Sequence, residues 1–543
     1  MFTDSLEILL KLNIDNHKFD IPCGNIKYLE CKLYQYGFIC TVNFWFSSEL
    51  KVDKLYPLFT TDKLIEVQLN VSAHFKDKDN DKKIKSIILS GSVTKKAILD
   101  ELIVENLHLK KNPVLYRYYQ IIFKDNAQVF LKQHFPTDLK VNKKIKELFI
   151  NNTPSKVNIE YNWSFLDKEI TINTLPLGSL KNQASFYDFI IWFANKYNGL
   201  FLYDYSKDTF YLTDKKISSN KIINVDKEKI SSYSINFLEQ PRYTIEVLNA
   251  NAENVQKKQI KYPSSLDNIE KTLIIDTPIV SEYDNFINIA KKKTKTICNY
   301  ILKLKLNKFY NIPIYPNSLL KFSGKLWSKE QFIKDKTYRI RQLYMKAEAV
   351  NQEADSDINM PYNKYDIQTN FILEPQDDES ITLPEVVEPY YPLLVEGYVV
   401  SETGRKDEDT YQIYQHSKTS IDHYKVAIPL FNNQQVWVPF EPIFFSGQFY
   451  FPLYRGARVL VALYLHKAYI KRILDWKDGV RLPLDTQGNH ILLGKNAESQ
   501  TSISHIYTKN EPVLKIVRTN KNDTQILQIN EGTIILETKE KSE

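Results

Sequence analysis

The strongest local signals of secondary structure lie in SFYDFIIWFANKYNGLFLYDYSKDTFYLTD, residues 185–214. Ser185, with Asp188 three residues later, has the pattern of a helix N-cap, and the apolar side chains that follow recur at helical spacing. Gly199 stands where a left-handed C-terminal cap is expected, and two strand-like runs then flank a polar turn at residues 206–208. The stretch therefore predicts a helix that leads into a β-hairpin. Three apolar side chains of the helix are expected to pack inside its own domain: Phe186, Ile190 and Phe193.

The segments on either side of this stretch favour strands. Residues 1 to about 105 are predicted to be almost entirely β-structure. From Tyr116 a strand leads into a short helix that Asp125 opens, and residues 141–150 are predicted as a second amphipathic helix. A further helix is predicted at residues 285–299.

Length and composition agree with a large β-rich protein. The chain has 543 residues, which at about 150 residues per domain suggests three or four domains. Its 43% hydrophobic and 25% charged residues are typical of folded chains, and 35 Tyr and 29 Phe against 14 Gly favour strands. The net charge of +7 is too small for this length to indicate a nucleic-acid partner.

The composition changes toward the C-terminus. Acidic residues and prolines cluster at residues 375–392 and predict a linker; the adjacent carboxylates of Asp377, Asp378 and Glu379 belong to this hydrated segment. Residues 393–480 then contain short strands at close spacing, which is typical of a small barrel.

The last stretch contains consecutive strands without an intervening helix, at residues 489–493, 512–518, 524–529 and 533–537. An isolated ladder of this size, rich in Ile, Leu and Val, would expose apolar faces and open edges. The sequence therefore calls for partner chains arranged about a rotation axis. Six side chains are predicted to pack this tip: Ile526, Leu527, Ile529, Ile534, Ile535 and Leu536.

No catalytic, cofactor-binding or metal-binding residues are predicted, and the chain is not expected to be an enzyme. P-loop, GxGxxG, GxSxG and HExxH motifs do not occur, and the nearest histidines, His416 and His423, form neither HxH nor HxxxH. Four cysteines without a CxxC pair are expected to be free buried thiols in a reducing cytosol: Cys23, Cys31, Cys40 and Cys298.

The N-terminus predicts no signal peptide, because it contains Asp4 and Glu7 and lacks a basic leader. The longest clean apolar run, residues 459–465, is far shorter than the roughly 20 residues of a membrane helix. If the protein leaves the cell, another machine must carry it.

Several segments together resemble one family. QFYFPLYRGARVLVALYLHKAYIKRIL (448–474) resembles an OB-fold signature in which a Pro-x-x-Gly turn, here one residue longer, leads to a Val-Leu-Val strand. RYYQIIFKDNAQVFLKQ (117–133) resembles the strand and helix that precede residues 185–214, and YPNSLLKF (315–322) with TYRIRQLYMKAE (337–348) looks like strands that close a hub. Their order resembles VgrG and its relatives, the spike proteins of type VI secretion systems, phage tails and other contractile injection systems.

This resemblance implies a mainly β fold with an α+β hub. The expected parts are a phage-tail-hub-like domain of β-barrels with inserted helices at 1–374, the linker, an OB-fold at 393–480 and a trimeric β-prism or β-helix tip at 481–543. The chain ends at Glu543, so a fused toxin domain is not expected.

The resemblance also implies partners. A homotrimer would cap an inner tube of Hcp-like subunits, contact baseplate proteins and carry a PAAR-like cone. It would be cytoplasmic in the assembled machine, and on firing it would pierce the target membrane, deliver effector cargo and become extracellular. No cofactor and no nucleic acid are expected.

Two other classes stay open. An OB-fold protein could bind nucleic acid through basic and aromatic residues such as Tyr454, Arg455 and Arg458. A carbohydrate-binding tail protein could instead use paired carboxylates in a groove.

Overall fold

The structure is a computed structural model of the chain. The residues that it describes are 1–47, 53–74, 86–104, 114–217, 222–250, 256–275, 280–295, 298–309, 314–324, 326–328, 330–400, 413–415, 422–439, 453, 455–474, 488–496, 499–521 and 523–540.

Strands dominate the described residues. In chain order the strands are β1 (Phe2–Ile14), β2 (His17–Ile21), β3 (Ile26–Tyr34), β4 (Gly37–Ser47), β5 (Ile65–Ala73), β6 (Ile87–Val104), β7 (Val114–Lys124), β8 (Thr137–Lys144), β9 (Ile159–Asn162), β10 (Glu169–Pro176), β11 (Leu200–Asp204), β12 (Thr209–Thr213), β13 (Ile222–Asn224), β14 (Ile230–Phe237), β15 (Thr244–Asn249), β16 (Gln256–Lys261), β17 (Glu270–Ile275), β18 (Tyr300–Leu306), β19 (Leu319–Lys321), β20 (Thr337–Ala349), β21 (Asn363–Pro375), β22 (Leu393–Val400), β23 (Ile413–Gln415), β24 (Asp422–Ile428), β25 (Gln434–Pro439), β26 (Arg458–Leu463), β27 (Ala468–Ile473), β28 (Asn489–Asn496), β29 (Ser499–Thr508), β30 (Glu511–Asn520), β31 (Asp523–Asn530) and β32 (Thr533–Lys539). The α-helices are α1 (Tyr56–Phe59), α2 (Asn126–Phe130), α3 (Ile145–Asn152), α4 (Phe186–Tyr197) and α5 (Val280–Lys295).

The chain divides into two units, each built from separate segments. The first unit comprises Met1–Phe135, Asn152–Ser164 and Gln183–Pro389. The second comprises Pro136–Asn151, Phe165–Asn182 and Tyr390–Glu543.

A closed ring of eight antiparallel strands forms the centre of the first unit. Its order is β20-β3-β4-β7-β6-β5-β1-β21, and β21 pairs back to β20. Apolar residues alternate along β1, so that one face of the strand is buried in the barrel core while the other is partly exposed. The buried side chains of β1 include Leu6, Ile8, Leu10, Leu12 and Ile14.

Strands β20 and β21 also carry an extension of the same sheet beyond the barrel. There β20 pairs with β19, which pairs with β13, while β21 pairs with β18, which pairs with β14. Strands β13 and β14 are therefore the two edges of this extension. The sheet β16-β15-β17 and helix α5 form a small separate core, which includes Val247 and Tyr283.

The helix and hairpin predicted at residues 185–214 are confirmed. Ser185 and Asp188 form a reciprocal capping box at the start of α4, and β11 and β12 form the hairpin. The left-handed residue at the end of the helix is Asn198, at φ 60°, rather than Gly199. Gly199 is needed for a different reason, because a Cβ atom there would come within 2.5 Å of the Trp163 ring.

Two predicted helices have different bounds. Residues 141–144 belong to strand β8, and helix α3 begins only at Ile145. These residues stay in the strand because β8 pairs with β10 up to Lys144, which lies opposite Glu169. Helix α5 ends at Lys295, although a helix was predicted up to residue 299.

The second unit contains a six-stranded sheet of β22–β27, in the residue range where a small barrel is predicted. Strands β8 and β10 pack on this sheet, since Leu139 and Ile172 belong to the same hydrophobic core as Val426 and Val461. The backbone amide of Thr174 also donates a hydrogen bond to the carbonyl of Leu465 at 2.9 Å. The mainly β fold class is confirmed, while the four-part division at residues 374, 392 and 480 stays a prediction.

Candidate assembly surface

The last five strands, β28–β32, form an antiparallel meander in which each strand pairs with the next one. Two-residue turns join β29 to β30 and β31 to β32. Lys509 and Asn510, between β29 and β30, have φ values of 53° and 68°, as a type I′ turn requires. Gly532, between β31 and β32, has φ 70°. Such turns fix the register of the strands that they connect.

This register brings one aliphatic side chain from every strand into a single row. Leu527 lies opposite Leu536 on one side and Ile516 on the other. Ile516 lies opposite Ile503, which lies opposite Ile491. Side chains of residues that lie directly opposite each other point to the same face of a sheet. We call these five residues the aliphatic row: Ile491, Ile503, Ile516, Leu527 and Leu536.

The same face carries a second, shorter apolar row. Ile529 lies opposite Leu514 and Ile534, two residues along each strand from the aliphatic row. Alternate residues of a strand share one face, so both rows form one continuous apolar surface.

Much of this surface is open to solvent in the single chain. Leu536 is 80% exposed, Ile534 is 71% exposed and Ile491 is 46% exposed. Within the described part of β28–β32, Val513 is the one apolar side chain that is fully buried. Complete burial of an Ile or Leu side chain is worth about 1.5–3 kcal/mol, so covering these positions would stabilise an assembly by several kcal/mol per chain. An apolar surface of this kind marks an interaction site.

Four of the six predicted tip-packing residues lie together on this face, and two do not. Consecutive residues of a strand point to opposite faces, which places Ile526 and Ile535 on the other side of the sheet. Their role in tip packing stays a prediction, as does that of the four residues on the apolar face: Leu527, Ile529, Ile534 and Leu536.

Sequence reasoning missed the members of the face that lie on the earlier strands. The signal was available, because counting outward from the two-residue turn at Lys509 and Asn510 pairs Ile503 with Ile516. Four residues were missed: Ile491, Ile503, Leu514 and Ile516.

A buried group of charges lies in the first unit, where β21 ends. The fully buried carboxylate of Glu374 contacts Lys216 Nζ at 2.6 Å, Arg339 Nη1 at 3.2 Å and Arg341 Nε at 3.3 Å. Burial lowers the pKa of Lys216 below its ordinary value, against the opposing effect of Glu374. We call these four residues the Glu374 cluster. It anchors the start of the predicted linker, because Arg339 also donates a hydrogen bond to the carbonyl of Gln376 at 3.0 Å.

A cleft of about 540 Å³ lies beside the Glu374 cluster. Its walls carry charges of both signs, including Asp214, Lys215, Lys292, Asp377 and Glu379. No three His, Cys, Asp or Glu side chains among the described residues are arranged to hold a metal ion. All four cysteines are buried and free of disulfides.

No helix in the described segments combines the length and apolar character needed to cross a bilayer.

No protein-family model and no curated protein matches the chain. Solved structures do. A chain of the half-lidded Francisella PdpA–VgrG complex is 12% identical, with a TM-score of 0.71 over 98% of this chain and 88% of that chain. The fold is that of a VgrG-like spike protein. A chain of the lidless PdpA–VgrG complex gives the same TM-score at 13% identity and covers 99% of both chains.

The match to a chain of the lidded Francisella complex covers a smaller share of that chain. The TM-score is again 0.71 at 13% identity, over 99% of this chain but only 80% of that chain. The covered share is thus smaller for the lidded chain than for the lidless one. The likeness extends over nearly all of the present chain and confirms the family resemblance at the level of fold.

Proposed function

We propose that this chain is the hub and spike of a contractile injection system and acts as a homotrimer. In this proposal residues 1–374 form the hub that caps an Hcp-like inner tube and contacts baseplate proteins. The OB-fold at 393–480 follows the linker, and residues 481–543 form the tip with two further copies. A PAAR-like protein covers the tip, and sheath contraction drives the assembly with its effector cargo through the target membrane.

The aliphatic row is the observation that carries the proposal. A five-stranded sheet with an aliphatic side chain from every strand in one line, and with Leu536 and Ile534 largely exposed, needs a partner of similar shape. Identical copies about a threefold axis supply one, since the row of each chain then faces the rows of the other two. The VgrG-like fold supports three as the number of copies.

The mechanical role follows from the same packing. In a trimeric tip the strand hydrogen bonds and the shared apolar core must break together before the spike can bend. Cooperativity of this kind makes a short β-structure stiff. Function therefore rests on packing and requires no chemical step.

Light scattering on the purified full chain tests the proposal. The expected mass is three times the 63.8 kDa chain mass. Deleting residues 489–543 should abolish or loosen the trimer, and a truncated protein with an unchanged oligomeric mass would count against the proposal. Salt-dependent retention of single-stranded DNA on a filter would favour the OB-fold nucleic-acid alternative instead.

A further inference from the structure

Strand β14 of the first unit is an unprotected edge. It pairs with β18 on one side, and no described strand pairs with its other side. Natural edge strands are usually protected from pairing by charged side chains or proline. The sequence of β14, ISSYSINF, contains neither, and Phe237 at its end is 71% exposed.

Aromatic side chains continue the exposed surface beside β14. The ring of Phe237 lies 5.8 Å from that of Tyr300 and 6.1 Å from that of Phe332, which is itself partly exposed. Tyr233 lies 6.2 Å from Trp327. A strand added to β14 would therefore pack its side chains on a rigid aromatic surface.

Strand β6 provides a second open edge in the same unit. It pairs with β5 only as far as Ser92, whereas its pairing with β7 continues to Val104. No described strand pairs with the outer edge of β6 between Lys95 and Val104. This segment carries the charged residues Lys95, Lys96, Asp100 and Glu101, but it also exposes apolar side chains, most strongly Ile103, which is 64% exposed.

We propose that the outer edge of β6 in one copy of the chain adds to β14 of the next copy. This inference rests on the proposed trimer and names a surface through which its hubs join, separate from the tip. A contact between two different edges is head-to-tail. It generates a closed ring when the rotation that relates neighbouring copies closes after a whole number of copies, here three. Pairing of β14 with itself would stop at a dimer.

Length and charge favour β6 of a second copy as the occupant. Strand β14 has eight residues, and the open segment of β6 is long enough to pair with all of them. Residues 97–104 of the segment match the eight residues of β14 in length and carry two acidic side chains, Asp100 and Glu101, and no basic one. Lys95 and Lys96 lie outside this stretch, and Glu101 also contacts Arg117 of its own chain at 2.6 Å. Strand β18, next to β14, carries Lys303 and Lys305 and no acidic residue, and these lie opposite Ser234 and Ser232. The charges of the two edges are therefore complementary.

Cysteine cross-linking of the full chain tests this contact. Ser234 on β14 is exposed, and the four native cysteines are buried. Ser234→Cys is combined in one chain with Leu102→Cys and, in a second variant, with Ile103→Cys. Consecutive residues point to opposite faces, so one of the two β6 positions must share the face of Ser234. A short bismaleimide should convert at least one double variant into a covalent trimer on a denaturing gel, while each single variant stays monomeric.

The outcomes separate this inference from the proposed function. A protein that scatters as a trimer but gives no cross-link in either double variant would overturn the β6–β14 contact and leave the trimer intact. Cross-linked dimers from Ser234→Cys alone would also overturn it, because they would show β14 pairing with itself. A monomeric full chain would contradict the proposed trimer itself.

Discussion

Substitution of Leu536 by aspartate tests the aliphatic row. Leu536 is 80% exposed in the single chain, so Leu536→Asp should change the stability of an isolated monomer by no more than about 0.5 kcal/mol. In a trimer the same change removes about 2 kcal/mol of apolar burial per chain, and it also desolvates three unpaired carboxylates. The loss is then at least about 6 kcal/mol per trimer, which corresponds to a dissociation constant raised by about 10⁴-fold or more.

Native mass spectrometry over a dilution series measures this loss. The matched control is Thr533→Asp, which introduces the same charge on the same strand. Thr533 is three residues from Leu536 along β32, so its side chain points to the opposite face of the sheet. We expect Leu536→Asp to be monomeric where the wild type and Thr533→Asp are trimeric. If Leu536→Asp assembles as well as the wild type, the aliphatic row is not buried in the assembly and the reasoning is wrong.

Three further predictions concern the first unit. Phe193→Asp places a charge at a fully buried position of α4 and should lower the free energy of unfolding by more than about 3 kcal/mol, whereas Asn195→Asp on the exposed side should be tolerated. Equal melting temperatures for the two variants would refute the packing of this helix. Glu374→Ala leaves buried Arg339 and partly buried Arg341 without this carboxylate, while Lys216 keeps Asp378 at 3.8 Å; it should lower the free energy of unfolding in urea by about 3 kcal/mol, whereas the exposed Glu379→Ala should have little effect. Burial raises the pKa of Asp125 to about 6, so the folded state binds this proton more tightly than the unfolded state and gains stability as the pH falls from 7 toward 4. Urea unfolding of Asp125→Asn at pH 7 and pH 5 should lack this gain, and a pH dependence identical to that of the wild type would contradict it.

Elements that are specified by neighbouring residues could be predicted from the sequence. Helix α4 was predictable because the capping box of Ser185 and Asp188 and the apolar spacing all lie within one short stretch. The C-terminal strands were predictable for a similar reason, since two-residue turns at 509–510 and 531–532 close two of their hairpins. The face that each side chain occupies follows from the register of these hairpins, which is why Ile526 and Ile535 were grouped with residues of the opposite face.

Long-range pairing was not predictable in the same way. Strands β8 and β10 pack with β22–β27, although more than 200 residues separate Ile172 from Val426 in the sequence. The Glu374 cluster joins Lys216, which follows the end of β12, to Arg339 and Arg341 of β20, and no spacing rule connects these positions. Helix α3 begins later than predicted because pairing with β10 keeps residues 141–144 in a strand.

Electron microscopy of the purified full chain can show directly whether three copies form a hub and spike. We expect particles with threefold symmetry in which a ring tapers to a needle. Uniform single-chain particles at micromolar concentration, with the apolar face of β28–β32 covered by the rest of the same chain, would contradict this expectation.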